Sequence, residues 1–129
     1  MQKLVYVQSR PNPTLLYLGQ QSAPITMRIE RSIQDCAHRY ECWDDYECSI
    51  MASAVVLERG KHVYLKDINV GSSYRGRGIG TKLLNQIITD FKDRQITADI
   101  FEERIPWYKR HGFEPVGRTN NLIKIVRSS

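Results

Sequence analysis

The chain has 129 residues, 41% of them hydrophobic and 26% charged, enough for one domain (residues 1–129) with its own core and too little for two. The longest apolar run, "IMASAVVL" at 50–57, is too short to cross a bilayer as a helix, and the opening residues read as a strand rather than a secretory leader, so a cytoplasmic protein with no membrane partner is expected. The net charge of +5 is unevenly placed, with eight Lys/Arg against eight Asp/Glu in residues 1–70 and eleven against six in residues 71–129, which fits either a polyphosphate ligand held by the second half or a solvated basic face.

In chain order, "KLVYV" (3–7) predicts a strand broken at "SRPNP" (9–13), and "TLLYLG" (14–19) and "ITMRIE" (25–30) predict two more short strands. The segment 32–45, "SIQDCAHRYECWDD", predicts one modest helix capped by Ser32 or Asp35. Three cysteines, Cys36, Cys42 and Cys48, form with His38 the pattern C-x-H-x3-C-x5-C. An odd number of cysteines with no paired C-x2-C spacing reads as reduced thiols, and no metal is expected.

Two β-rich runs, 49–57 and 62–70, flank "ERGK" and predict a hairpin. Beyond the glycine-rich stretch "YRGRGIG" (74–80), Ile79, Leu83, Leu84, Ile87, Ile88 and Phe91 recur at helical spacing, the clearest helix in the chain. "ITADIF" (96–101) predicts a strand. Pro106 and Gly112 bracket a short helix through "WYKRH", and "FEPVG" and "NLIKIV" predict closing strands around a turn at 118–121. Strands alternating with helices in this way make an α/β or α+β sheet domain.

A strand feeding a glycine turn that opens a helix is an anion site, because free backbone N–H groups and the positive helix end converge there. The spacing G-x-G-x-G of Gly76, Gly78 and Gly80 is neither the dinucleotide G-x-G-x-x-G nor a P-loop, since Gly71 and Gly76 are followed by Arg77 and Gly78.

The pattern R-x-x-G-x-G of Arg75, Gly78 and Gly80, after a strand ending at Val70 and with "IPWYKRHGF" (105–113) downstream, resembles the signature of the GNAT N-acetyltransferase superfamily over roughly residues 49–118. The resemblance implies a mixed, mostly antiparallel sheet of about six or seven strands with helices on both faces and a reduced N-terminal helical part. It also implies acetyl-CoA as acyl donor and an amine as acceptor. It assigns donor contacts to Ile68, Val70, Arg75, Gly76, Arg77, Gly78, Ile79, Gly80 and Thr81, with the Val70 N–H polarising the thioester carbonyl. Tyr108 matches the family's acid, with Trp107 in place of the usual phenylalanine, while Phe101 replaces an asparagine that many members carry seven positions earlier. Asp67 matches an acidic strand position and is expected to act through water or by attracting the cation.

Room for only one helix near the N-terminus implies an open acceptor cleft, suited to an amine on a protein, a peptide or another macromolecule. The acids between positions 35 and 47, interleaved with Tyr40, Trp43 and Tyr46, make Tyr40, Trp43, Asp44 and Asp45 candidate acceptor contacts. Two other classes stay open: a catalytically silent acyl-CoA-binding module, and an RNA-contacting protein using Arg104, Lys109, Arg110, Arg118, Lys124 and Arg127. Monomer and homodimer are both compatible with the sequence.

Overall fold

The computed structural model describes residues 2–10, 25–44 and 48–129. Its strands are β1 (Gln2–Arg10), β2 (Ile25–Gln34), β3 (Ala37–Asp44), β4 (Ser49–Arg59), β5 (His62–Val70), β6 (Gln95–Ile100), β7 (Glu114–Thr119) and β8 (Leu122–Arg127). The helices are α1 (Ile79–Asp90) and α2 (Ile105–Lys109). The described strands form one eight-stranded sheet in the order β1-β2-β3-β4-β5-β6-β8-β7. Every neighbouring pair is antiparallel except β5 and β6, which α1 connects as a crossover. The sheet thus has eight strands where six or seven were expected. The strand predicted at 14–19 lies outside the described residues.

The predicted helix at 32–45 is instead the end of β2, a two-residue turn and β3. Asp35 takes the left-handed conformation at that turn (φ 55), which a short polar side chain tolerates. Beyond it His38, Tyr40 and Cys42 all point into the core while Arg39 faces solvent, a period of two that the dense charges conceal. No α-helix precedes α1 among the described residues. β1 continues to Arg10, past the break expected at position 9.

The hairpin of β4 and β5 closes on Gly60 and Lys61, with Gly60 at φ 69, the conformation that a primed turn demands at its first central residue. Apolar spacing on α1 buries Leu83, Leu84 and Ile87 completely against Val56, Val63 and Leu65 of β4 and β5, about 2 kcal/mol for each side chain removed from water. Phe113, Ile96 and Ile125 extend the same core toward the last strands.

A polar cluster anchors the far end of α1. Asp90 accepts hydrogen bonds from Tyr40 (2.7 Å) and Tyr6 (3.1 Å) and pairs with Arg31 (3.2 Å), so one carboxylate ties the helix to β1, β2 and β3. Arg31 also donates to His38 Nδ1. A guanidinium can only donate, so the His38 proton sits on Nε2 and is given to Glu58 Oε2 at 3.0 Å. His38 and Arg94 hold the Glu58 carboxyl below the usual carboxylate range. Of the thiols, Cys42 is buried and pushed up to about 12 by that burial, whereas Cys36 and Cys48 are exposed. Among the described residues no three His, Cys, Asp or Glu side chains converge as a metal site requires, and no helix is long and apolar enough to cross a membrane.

Two irregularities open the middle of the sheet. β5 and β6 pair only from His62 to Leu65 against Gln95 to Ala98. Beyond that β5 stays with β4 and β6 stays with β8, so the two strands part like a V. At the same place Val55 faces Asp67 while Val56 faces Leu65, leaving Lys66 as the extra residue of a bulge that bends β5 away.

Candidate active site

The glycine turn begins where β5 ends. Gly71 donates to Met51 O (2.8 Å), and a single 3-10 turn, Ser72–Tyr74, is fastened by a 2.8 Å bond between the Tyr74 and Ser49 hydroxyls. Gly76 and Gly78 then adopt φ 79 and φ 76, which costs a residue with a Cβ about 1–2 kcal/mol. A Cβ at either would meet no protein atom within 4 Å, so the space beside both is open. Gly80 is glycine for another reason: its Cβ would lie 3.1 Å from Val70 Cγ2 and 3.6 Å from Trp107 Cζ2.

Arg75 and Gly76 form the corner of a turn from Tyr74 to Arg77, and the first bond within α1 is Lys82 N–H to Gly78 O, so the Gly78 N–H lies outside both the turn and the helix ladder. The N–H groups of Ile79, Gly80 and Thr81 are the orphan donors of the first turn. Unpaired amides and the positive end of a twelve-residue helix therefore face the same space.

That space is a cavity of about 280 Å³. Eight of the nine predicted donor contacts line it; the exception is Arg77, whose guanidinium lies 5.8 Å from the Tyr74 ring centroid. Arg75 folds back so that Nε donates to Val70 O at 3.2 Å.

The register of β5 adds a second row of hydrogen-bonding groups. Because Gly71 N–H bonds Met51 O, Val70 opposite Ala52 and Ile68 opposite Ala54 are non-hydrogen-bonded pairs. Their N–H and C=O groups point away from β4, into the gap that β6 has left.

A second cavity, of about 320 Å³, occupies the V itself. Asp67 and Asn69 lie on its β5 wall, Asp99 and Phe101 on the β6 wall, and Tyr108 reaches it from α2. Asn69 donates to Asp67 at 2.9 Å. Tyr108 is 3% exposed, edge-on to Trp107 and Phe113 at 4.8 and 5.4 Å between ring centroids. Burial pushes its phenol up to about 12, with Arg104 opposing and Asp67 adding to that rise. Its hydroxyl has no hydrogen-bond partner among the described residues. Ile68 and Arg104 line both cavities, so the two spaces meet across one strand.

The predicted acceptor contacts are not gathered with these groups. Tyr40 is fully buried and bonded to Asp90, out of reach of any incoming molecule. Trp43 is half-buried beneath Arg28, opposite a bulge at Met51 of β4, and Asp44 sits opposite Ser49 at the strand end near the glycine turn. Neither lines either of these two cavities, and Asp45 lies outside the described residues. The late basic residues are dispersed: Arg118 pairs with Glu102 at 3.4 Å, and Arg127 donates to His111 O. Asn69 and Asp99 are residues of the V that the sequence did not single out, and Arg104 stood out there only among the late basic residues considered for RNA; the one signal for its place here is its position four residues before Tyr108, the spacing of one helical turn.

The Acetyltransferase (GNAT) family model matches residues 11–113. Solved structures of similar fold include an acyl-CoA N-acyltransferase from Pseudomonas aeruginosa, 19% identical with a TM-score of 0.63 over 74% of this chain and 70% of that one. An acetyltransferase from Thermus thermophilus is 12% identical, with a TM-score of 0.66 over 75% and 67%. The PaiA N-acetyltransferase from Thermoplasma acidophilum, determined with coenzyme A, is 10% identical, with a TM-score of 0.63 over 72% and 61%. An eight-stranded sheet split beside a glycine turn, together with a family match over most of its length, gives the conclusion that this chain belongs to the GNAT acetyltransferase family.

Proposed function

We propose that the protein transfers an acetyl group from acetyl-CoA to a primary amine by direct attack within a ternary complex. The observation that carries this reading is the continuity of backbone donors: the amides at the opening of α1, from Gly78 to Thr81, run into the gap-facing N–H of Val70 and the N–H and C=O of Ile68, while Val70 C=O accepts from Arg75. A diphosphate suits the first set, and an amide-bearing arm suits the second.

The amine nitrogen attacks the thioester carbonyl carbon, forming the C–N bond as the C–S bond breaks. Val70 N–H, free of β4, donates to the carbonyl oxygen as negative charge develops there. Tyr108 gives its proton to the departing thiolate and regains one from water. Its raised pKa keeps it protonated at neutral pH. The proton lost by the amine leaves through water held at Asp67, whose carboxylate also draws a cationic amine into the V.

The acceptor enters from solvent, where Asp67, Asn69, Asp99 and Phe101 are exposed, on a peptide or a small molecule. One protein, one domain and no bound metal suffice for this chemistry. Calorimetric titration with acetyl-CoA, followed by thiol release with a panel of amines, tests the reading. Donor binding with amine-dependent thiol release supports it, and absence of donor binding overturns it. Binding without transfer to any amine identifies a silent acyl-CoA-binding module instead.

A further inference from the structure

We infer that the acceptor carries a carboxylate close to its amine, and that Arg104 is the residue that holds that carboxylate. The inference rests on the acetyl-transfer reading above and names the acceptor class for the same site.

Arg104 lies on the short turn Glu102–Arg104 between β6 and α2, and its side chain lines the V as well as the donor cavity. It makes no ion pair among the described residues, although Asp67 and Asp99 line the same cavity and Glu102 and Glu103 precede it in the chain. Glu102 is engaged by Arg118 (3.4 Å), and Asp99 accepts from Tyr64 (2.9 Å). Asp67 accepts from neutral Asn69 alone. Arg104 and Asp67 therefore stand on different walls of one cavity, each without an opposite charge, and no N···O distance between them falls within 4.0 Å.

Lys66 and Asp99 line the same cavity without an ion pair among the described residues, but Arg104 is the one of its two cations that also lines the donor cavity, and with Asp67 across the gap it complements a molecule bearing both charges. A guanidinium presents a planar fork that matches a carboxylate in two parallel hydrogen bonds. With the carboxylate on Arg104 and the amine toward Asp67, the nitrogen is directed to the part of the V that Tyr108 lines. The same guanidinium repels a simple diamine, so the arrangement selects against acceptors that carry positive charge alone.

Either a free amino acid or a peptide N-terminus followed by an acidic residue supplies this chemistry. The test compares acceptors that differ only in the carboxylate. Lysine is set against cadaverine and phenylalanine against phenethylamine for the first source, and an alanyl-aspartyl peptide amide against an alanyl-alanyl peptide amide for the second. The readout is the ratio of kcat/KM between the members of each pair, which cancels general damage to the enzyme. The wild type is expected to favour the carboxylated member of at least one pair. Arg104→Ala should lower that ratio about tenfold or more, the scale of a lost charge-assisted hydrogen bond. Arg104→Lys should retain part of it, and Arg104→Glu should invert it.

A wild type that treats both members of every pair alike overturns the inference. So does Arg104→Ala with an unchanged ratio and weakened coenzyme A affinity, which assigns the residue to the donor. Calorimetry with coenzyme A separates the two levels: donor binding with transfer only to uncharged or cationic amines sinks the acceptor class alone, whereas no donor binding sinks the acetyl-transfer reading itself.

Discussion

Gly78→Ala is the sharpest probe of the glycine turn, because a second glycine in the same chain supplies its control. Gly78 has φ 76 and Gly60 has φ 69, and a Cβ at either would meet no protein atom within 4 Å. Alanine should therefore cost a similar amount at both, about 1–2 kcal/mol of left-handed strain with no steric clash added. For a chain of this size that lowers Tm by about 3–6 °C per kcal/mol. The two positions differ in what else is near. Gly60 closes the β4–β5 hairpin, whereas Gly78 lies past the other end of the nine-residue strand β5, about 27 Å away along the strand. Only Gly78 borders the donor cavity and the unpaired amides. A methyl group there should hold the diphosphate off and loosen one or two charge-assisted hydrogen bonds, weakening coenzyme A by about tenfold to hundredfold. Thermal unfolding measures the first quantity and calorimetric titration the second. Matching losses of Tm with affinity lost only in Gly78→Ala is the expected result. Gly78→Ala binding coenzyme A within twofold of wild type, at an equal loss of Tm, would refute the placement of the diphosphate on this turn.

Tyr108→Phe should reduce kcat by about a hundredfold or more while leaving coenzyme A affinity and Tm close to wild type, since the hydroxyl has no partner among the described residues; a kcat within threefold of wild type removes Tyr108 from the acid role. Burial raises that phenol from 10.0 to about 12, so the acid stays protonated through neutral and mildly alkaline pH. A pH profile of kcat should show no falling limb below about pH 10 that disappears in Tyr108→Phe. Asp90→Ala should cost about 3–5 kcal/mol in denaturant unfolding, because it strands the buried charge of Arg31 and the hydroxyl of Tyr40; a loss below about 1 kcal/mol would show that the cluster does not anchor α1. Glu58 has its pKa lowered by His38 and Arg94, so its contribution to stability is present above the ordinary carboxylate pKa and is lost as pH falls through the lowered one. Glu58→Gln should flatten that acid limb of the stability curve, and an unchanged limb would count against the pairing.

What could be read from residue order divides along the range of the interactions involved. The glycine turn and α1 were legible because their causes are local: positive φ at Gly76 and Gly78, and one apolar face within twelve residues. The β4–β5 hairpin and α2 were legible for the same reason, one closed by Gly60 and the other opened near Pro106 and followed by Gly112. Segment 32–45 misleads because its charges and aromatics hide a period of two, and because the partner of the Tyr40 hydroxyl is Asp90, fifty residues away. No local pattern marks Lys66 as the residue left out of register, yet that bulge and the short β5–β6 pairing create the V. Arg104, in sequence one of six late basic residues, becomes distinct only where two cavities meet across Ile68. The proposed donor half of the site is thus built from consecutive backbone and can be recognised in a single stretch of sequence. The acceptor half is built from divergence between strands distant in sequence, so its chemistry depends on which charges the fold leaves unpaired. In the V those are Lys66, Asp67, Asp99 and Arg104; Arg104 alone among them also reaches the first cavity, and acceptor specificity should follow substitutions at Asp67 and Arg104 more closely than any change within the glycine turn.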